Sequence, residues 1–450
     1  MTAVSAGGDT VTLALAAAAA AMTAAAVVLC CNRRFETAIV LVLASVWISW
    51  LCYSNMPVTA EEMSEAGYAT YIRISAVLLA GACGVFRLVK SWRKKAPKPP
   101  GYLILFGIFI AYATLSGLYS IDPKYTLVRS GEFVFFFGFL LALHYWLKDT
   151  VRLDRSLNIY FGLTVLGVIA SAAVLLLAPD RAWAWRMPDR LQGLTDHPNT
   201  LGAFCMLAYP IFAWRFTRGG QLEKTGITLL VLLTLGMHIM SGSRSSLAAA
   251  AAGAVLWPVF SGMTVALKKA AVALIFTLAL VLGITAVLVS RPASLSRGDS
   301  TITTLTGRTE FWKGCMVLIE ERPIRGYGYG VAGKIWEDPR FYREGEFLWL
   351  GSARASLHNG YLSVAVGLGI TGLLIWLCFV AMITRRTLHL HPGPYKALVL
   401  AVIGQCLLIN FVESALSSGS QIYTSLVFWF FFIIAGRLPQ LTPAELRQDG

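Results

Sequence analysis

The chain has 450 residues, 56% of them hydrophobic and only 14% charged, against roughly 25% charged in an average soluble protein. Mean hydropathy is +0.65 and the apolar residues lie in long runs, so a soluble enzyme, a disordered chain and a secreted disulfide scaffold are excluded. The charge is unbalanced, with 38 Lys and Arg against 24 Asp and Glu for a net +14, and the placement of that excess carries information.

A membrane-crossing helix needs about 20 apolar residues at a rise of about 1.5 Å each. Thirteen runs qualify in chain order: 11–31, 37–53, 68–88, 101–119, 126–147, 157–178, 199–216, 225–241, 245–261, 267–290, 359–384, 396–415 and 421–436. No Lys or Arg precedes Arg33, so the first run lacks the basic start of a cleaved signal peptide and is expected to be retained. Seven of the eight cysteines (Cys30, Cys31, Cys52, Cys83, Cys205, Cys378 and Cys406) lie in or beside apolar runs, and Cys315 lies in a long loop. No spacing among them suggests a metal site or a disulfide framework, so they read as packing residues.

Basic residues orient the runs, because cytoplasmic loops keep Lys and Arg. The loop 87–98 carries Arg87, Lys90, Arg93, Lys94, Lys95 and Lys98 and is assigned to the cytoplasm. Alternation puts Lys148/Arg152/Arg155, Arg215/Arg218/Lys224, Lys268/Lys269, Arg385/Arg386/Lys396 and Arg437/Arg447 on the same side. The loop 54–67, with Glu61, Glu62 and Glu65 and no Lys or Arg, falls outside. Thirteen crossings put the N-terminus outside, and twelve put it in the cytoplasm. The expected fold is thus all-α and polytopic, with twelve or thirteen transmembrane helices. Its divisions are N-terminal helices over 1–290, a large outer loop over 291–357, and C-terminal helices with a cytoplasmic tail over 358–450.

That loop is long for a compact protein, and such loops usually carry function. Within it, Arg308–Glu321 has helical apolar spacing at Phe311, Trp312, Cys315, Met316 and Ile319. Pro323 ends the helix and Arg325–Gly333 reads as a glycine-rich turn.

A few positive groups fall on the outer side, against the bias: Arg186, Arg190, Arg244, Arg308 and His358. Guanidinium offers a fixed fork of donors that matches phosphate oxygens and stays charged at any working pH. A histidine near neutrality takes a proton from an attacking hydroxyl. Together they suit a pyrophosphate leaving group and an alcohol acceptor. No outer carboxylate cluster resembles a divalent-metal site, so no metal or cofactor is expected and the arginines would supply the electrostatic stabilisation. The bland alternatives are concrete. An arginine at a span end is usually a snorkelling anchor, which suits Arg186 and Arg73. Arg244, in the short turn Ser-Gly-Ser-Arg244-Ser-Ser-Leu between two apolar runs, is a poor fit to that role. Arg308 opens a helix against its dipole, which points to a ligand. Glu413, before the last run, is a candidate partner for an arginine.

From His358 the sequence runs His358-Asn359, nine residues, then Gly369-Ile-Thr-Gly372. This resembles the signature of the O-antigen ligase family: His, then Asn, Ser or Gln, nine residues, Gly, two residues, then Gly, Thr or Tyr. The resemblance extends to the Arg244 turn, to Thr-Gly-Arg308-Thr-Glu-Phe-Trp312, and to Arg322-Pro323-Ile324 with Gly326-Tyr-Gly328-Tyr-Gly330. Gly369 and Gly372, about three turns beyond His358, are expected to let helices approach closely. The resemblance implies a type C glycosyltransferase of the Gram-negative inner membrane, with twelve spans and its active site on the periplasmic side. It implies transfer of preassembled O-antigen from undecaprenyl pyrophosphate to lipid A–core, without a metal and with inversion. By the same analogy His358 is the activating base, Arg244 and Arg308 hold the pyrophosphate, and Arg190, Arg186 and Asn359 line the substrate site. The partners implied are that donor, that acceptor and membrane lipids, with no nucleic acid. O-antigen polymerases and protein O-oligosaccharyltransferases share donor and architecture and remain alternatives. A lipid-linked glycan transporter is the alternative from another class, but it predicts internal repeats and charges at mid-membrane, and the sequence shows neither.

Overall fold

The computed structural model describes residues 35–36, 39–40, 42–43, 99–184, 187–264, 308–335, 357–414, 416 and 422–441. The runs 11–31, 68–88 and 267–290, nearly all of 37–53, the loops 54–67 and 87–98, Arg73, Arg186 and most of the large loop lie outside these residues.

Among the described residues the chain is mostly helical. The helices longer than ten residues are α1 (Gly101–Leu115), α2 (Pro123–Trp146), α3 (Thr150–Leu177), α4 (Pro198–Arg218), α5 (Gln221–Met240), α6 (Arg244–Phe260), α7 (Arg308–Glu321), α8 (Gly360–Leu388), α9 (Pro394–Ile409) and α10 (Ile422–Arg437). Five helical stretches are long and apolar enough to cross a membrane: Gly101–Leu118, α2, α3, α5 and α8. α6 and α9 are apolar but shorter, and α4 forms at the expected place with polar ends. The all-α expectation misses one feature, a small antiparallel hairpin of β1 (Trp183–Ala184) and β2 (Met187–Leu191).

Local chemistry sets the boundaries. Asp149 caps α3 by accepting from the Arg152 N–H at 2.8 Å. Pro198 and Pro394 occupy first-turn positions, where a missing N–H costs nothing. The run expected over 396–415 forms a helix only to Ile409. Asn410, Glu413 and Ser414 follow in irregular backbone, because their polar groups bond elsewhere.

The chain forms two compact units. One comprises 1–98, 132–250 and 429–450; the other comprises 99–131 and 251–428. In the first, aromatic contacts such as Tyr160–Phe431 and Phe161–Phe212 join the helices, and Arg437 Nε donates to the Leu147 carbonyl just past α2. The bidentate pair Arg218–Asp154 ties α4 to α3 at 2.9 and 3.1 Å.

In the second unit, α1 packs along α8 through Phe106, Phe109 and Phe379. α8 is broken in the middle, where Gly369 has φ 68° and ψ −176°. The break frees backbone groups that an intact helix would pair, and the glycine-rich turn takes them up. Tyr327 N–H donates to the Val366 carbonyl at 3.0 Å, Gly328 N–H to Gly367 at 2.8 Å, and Ile370 N–H to Pro323 at 2.7 Å. The approach expected at Gly369 is therefore made by loop backbone rather than by a neighbouring helix. A methyl at Gly369 would overlap the Ile324 carbonyl. The other side of the turn rests on the α1–α2 connection. Ile121 N–H donates to Tyr327 O at 3.0 Å, and Tyr329 N–H donates to Ser116 Oγ at 2.9 Å. Lys334 and Asp122 pair at 2.7 Å, which holds the Asp122 carboxyl below the usual range. Beneath the turn, Cys315, Leu318, Tyr327, Val331, Ile335 and Leu357 form a core, and burial pushes the Cys315 thiol up to about 12. Cys315 thus packs, as its surroundings in the sequence suggested.

Gly369→Ala is expected to lower the thermal unfolding midpoint in detergent, because a positive φ costs of order 1–3 kcal/mol for a non-glycine residue and the added methyl collides. Gly131→Ala in α2, with nothing within 4 Å of the added carbon, is expected to leave it unchanged or raised. Equal midpoints for the two would refute the role given to the break.

Candidate active site

His358 stands where the large loop meets α8. Its φ of 48° makes it the one non-glycine residue with positive φ among the described residues, a conformation that persists only when neighbours hold it. The neighbours are in place. Asn359 caps α8, its Oδ1 accepting from Leu362 N–H at 3.0 Å. Its own N–H donates to Ser414 Oγ at 3.2 Å, and Gly360 N–H donates to the Asn410 carbonyl at 2.8 Å. Position 360 must be glycine for space, since a methyl there would overlap the Asn410 carboxamide. The start of α8 is therefore locked against the irregular segment after α9.

That segment also supplies the partner of the histidine. His358 Nδ1 lies 3.1 Å from Glu413 Oε2, with side-chain exposures of 34% and 5%. A charged carboxylate can only accept, so His358 Nδ1 is the donor of this bond. A buried carboxylate fixing one ring nitrogen is the arrangement that orients a histidine base. Glu413 thus bonds to His358. The available signal was an acid inside an apolar run, which is costly unless used.

The arginine turn is built in the other unit. Arg244 is the first residue of α6 and is exposed. Among the described residues, no side chain or carbonyl bonds its guanidinium. The turn before it is held firmly. Arg190 Nε donates to the Ser241 carbonyl at 2.8 Å, and its NH2 donates to Asn199 Oδ1 at 2.7 Å. Behind the turn, His238 Nε2 lies 2.7 Å from Ser246 Oγ, and His238 Nδ1 lies 3.2 Å from the Tyr209 hydroxyl. Sequence reading passed over His238, because a histidine inside an apolar run carries no motif.

The structure therefore sorts the expected residues. His358 and Asn359 stand together with Glu413, and Asn359 spends its carboxamide oxygen on the helix cap. Arg190 stands against the Arg244 turn with its fork bonded. Arg308 begins α7 as expected; its side chain, like Arg186, lies outside the described residues. Gly369 marks the break in α8, and Gly372 lies one turn beyond it.

Arg190→Lys keeps the charge but not the fork. It is expected to lower the thermal unfolding midpoint in detergent, since the bonds to the Ser241 carbonyl and Asn199 are weakened. An unchanged midpoint in Arg190→Lys would refute the bracing role.

No curated protein matches the chain. Residues 229–377, from within α5 into α8, match the family model described as O-antigen ligase, a family of glycosyltransferase-like membrane enzymes that takes in ligases and related polymerases. The match spans Arg244, Arg308 and His358 with its Gly369–Gly372 pair, so this segment of the chain is similar to the O-antigen ligase family.

Proposed function

We propose that the protein is an O-antigen ligase of the bacterial inner membrane, working at the periplasmic face. It transfers preassembled O-antigen from undecaprenyl pyrophosphate to a sugar hydroxyl of lipid A–core. The observation that carries this reading is the oriented His358–Glu413 pair at the opening of α8, inside the matched segment. The acceptor oxygen attacks the anomeric carbon, and its proton passes to His358 Nε2. The bond from that carbon to the pyrophosphate oxygen breaks, so undecaprenyl pyrophosphate leaves and the configuration inverts. Arg244 and Arg308 neutralise the charge that develops on the leaving oxygens, and no metal is required. Asn359 and Arg190 serve by holding His358 and the Arg244 turn in place. The reading includes the twelve-span topology and the outer placement of the large loop, because a lipid-linked donor and a membrane-bound acceptor meet at that face.

The test is complementation of a ligase-deficient Gram-negative strain, read as the lipopolysaccharide ladder on a gel. The wild-type gene is expected to restore the ladder. His358→Ala and Glu413→Ala are expected to lose it, in keeping with a loss on the order of 10²–10⁴ for a general base or its orienting acid. A ladder retained in His358→Ala sinks the base assignment. A strain that gains only longer glycan chains, with no transfer to core, would identify a polymerase instead.

Arg244→Lys is expected to fail nearly as fully as Arg244→Ala, because pyrophosphate recognition uses the guanidinium fork rather than charge alone. Wild-type activity in both, in membranes treated with EDTA, would remove Arg244 from the mechanism.

A further inference from the structure

Two further arginines, Arg322 and Arg325, take no part in the chemistry above. They bracket Pro323 and Ile324 in a single closed turn, in which Gly326 N–H donates to the Arg322 carbonyl at 3.1 Å. Among the described residues neither guanidinium donates a hydrogen bond or pairs with a carboxylate. Each instead lies over an aromatic ring: Arg322 Cζ is 4.5 Å from the centre of Tyr327, and Arg325 Cζ is 5.6 Å from that of Tyr119. A cation–π contact fixes a guanidinium while leaving its N–H donors open. Both rings are themselves held, Tyr327 by its hydroxyl donating to Glu321 Oε2 at 2.7 Å and Tyr119 by donating to the Arg325 carbonyl at 2.9 Å.

The surroundings of this turn are apolar and uncovered. Ile324 is 72% exposed and Leu118, at the end of the α1 span, is 86% exposed. The tip is rigid, since the Pro323 carbonyl accepts from Ile370 N–H in the break of α8. Two open forks beside exposed aliphatic side chains, at the end of a membrane helix, match a molecule with an anionic head and an apolar tail. We infer that the Arg322–Arg325 turn binds the phosphate of an anionic membrane lipid, with Ile324 and Leu118 against its acyl chains. The site rests on membrane insertion and not on glycosyl transfer, so it stands or falls separately from the ligase reading.

The full-length protein in nanodiscs of phosphatidylcholine with a minor share of phosphatidylglycerol provides the test. Lipid retained after detergent washing is counted by mass spectrometry. The wild type is expected to keep phosphatidylglycerol in excess over its share. Arg322→Gln/Arg325→Gln is expected to lose that preference by about thirtyfold, as for two interfacial basic residues, with its unfolding midpoint near that of the wild type. If the double variant does not fold, Arg325→Gln alone, at an exposed position, is expected to lose about fivefold. Wild-type retention in a folded variant overturns the proposal. So does displacement of the lipid by millimolar inorganic phosphate, which would mark a site for free anions.

Discussion

Three backbone hydrogen bonds between the segment 323–328 and the break in α8 set the geometry of the unit that carries His358. Each contributes only about 0.5–1.5 kcal/mol net in water, but a backbone group left unpaired in apolar surroundings costs several times that. The break and the glycine-rich turn therefore require each other. An intact α8 would leave the turn without partners, and a displaced turn would leave Val366, Gly367 and Ile370 unpaired. The first nine residues of α8 are clamped at both ends as a result, by the turn at Gly369 and by Asn410–Ser414 at the cap. The fixed spacing between Asn359 and Gly369 then has a physical meaning. It is the length of a rigid rod, about 14 Å at helical rise, that seats His358 against Glu413 from one end and receives the loop at the other.

The same rule governs the opposite end of that rod. The polar residues that interrupt the run 396–415 are placed where the first turn of α8 has unmet donors and where the histidine needs a carboxylate. Glu413 is tolerated in a buried position because His358 and its surroundings take up the bonding. His358 in turn adopts a left-handed backbone because Asn359 and Gly360, on its C-terminal side, are pinned to the segment that holds the acid. Strain at the histidine and burial of the acid are offset by one set of contacts.

Much of this was legible from the chain. Apolar runs placed most described helices to within about four residues, α3 starting seven residues earlier and α9 ending six earlier than expected, and Arg308–Glu321 was bounded by its own apolar spacing and by Pro323. Motif spacing picked out His358, Gly369 and the Arg244 turn, because short-range patterns survive in sequence order. The Glu413–His358 bond, the bracing of Ser241 by Arg190 and the docking of Tyr327 on Val366 were not legible. Each joins residues that are 39 or more positions apart in the chain, and nothing periodic links them. The early end of α9 was hidden for a related reason: Leu407, Leu408 and Ile409 predict continuation, and only tertiary partners for Asn410 and Ser414 stop the helix there.

The basic excess separates into groups with different physical work. Arg215, Arg218 and Arg437 are bonded to acids, amides or carbonyls at helix ends, and they consume their donors in holding helices together. Arg190 consumes its donors in bracing a turn. Arg244 keeps its donors open at the N-terminus of α6, where backbone N–H groups add to the positive field. Arg322 and Arg325 keep theirs open over aromatic rings. Charge alone does not distinguish these cases; the count of uncommitted N–H groups does. A guanidinium held in place without spending its donors is preorganised for an incoming anion, because the entropy of ordering it is lost on folding rather than on binding. That property, rather than the net +14, separates arginines able to meet an anion from those that anchor the fold.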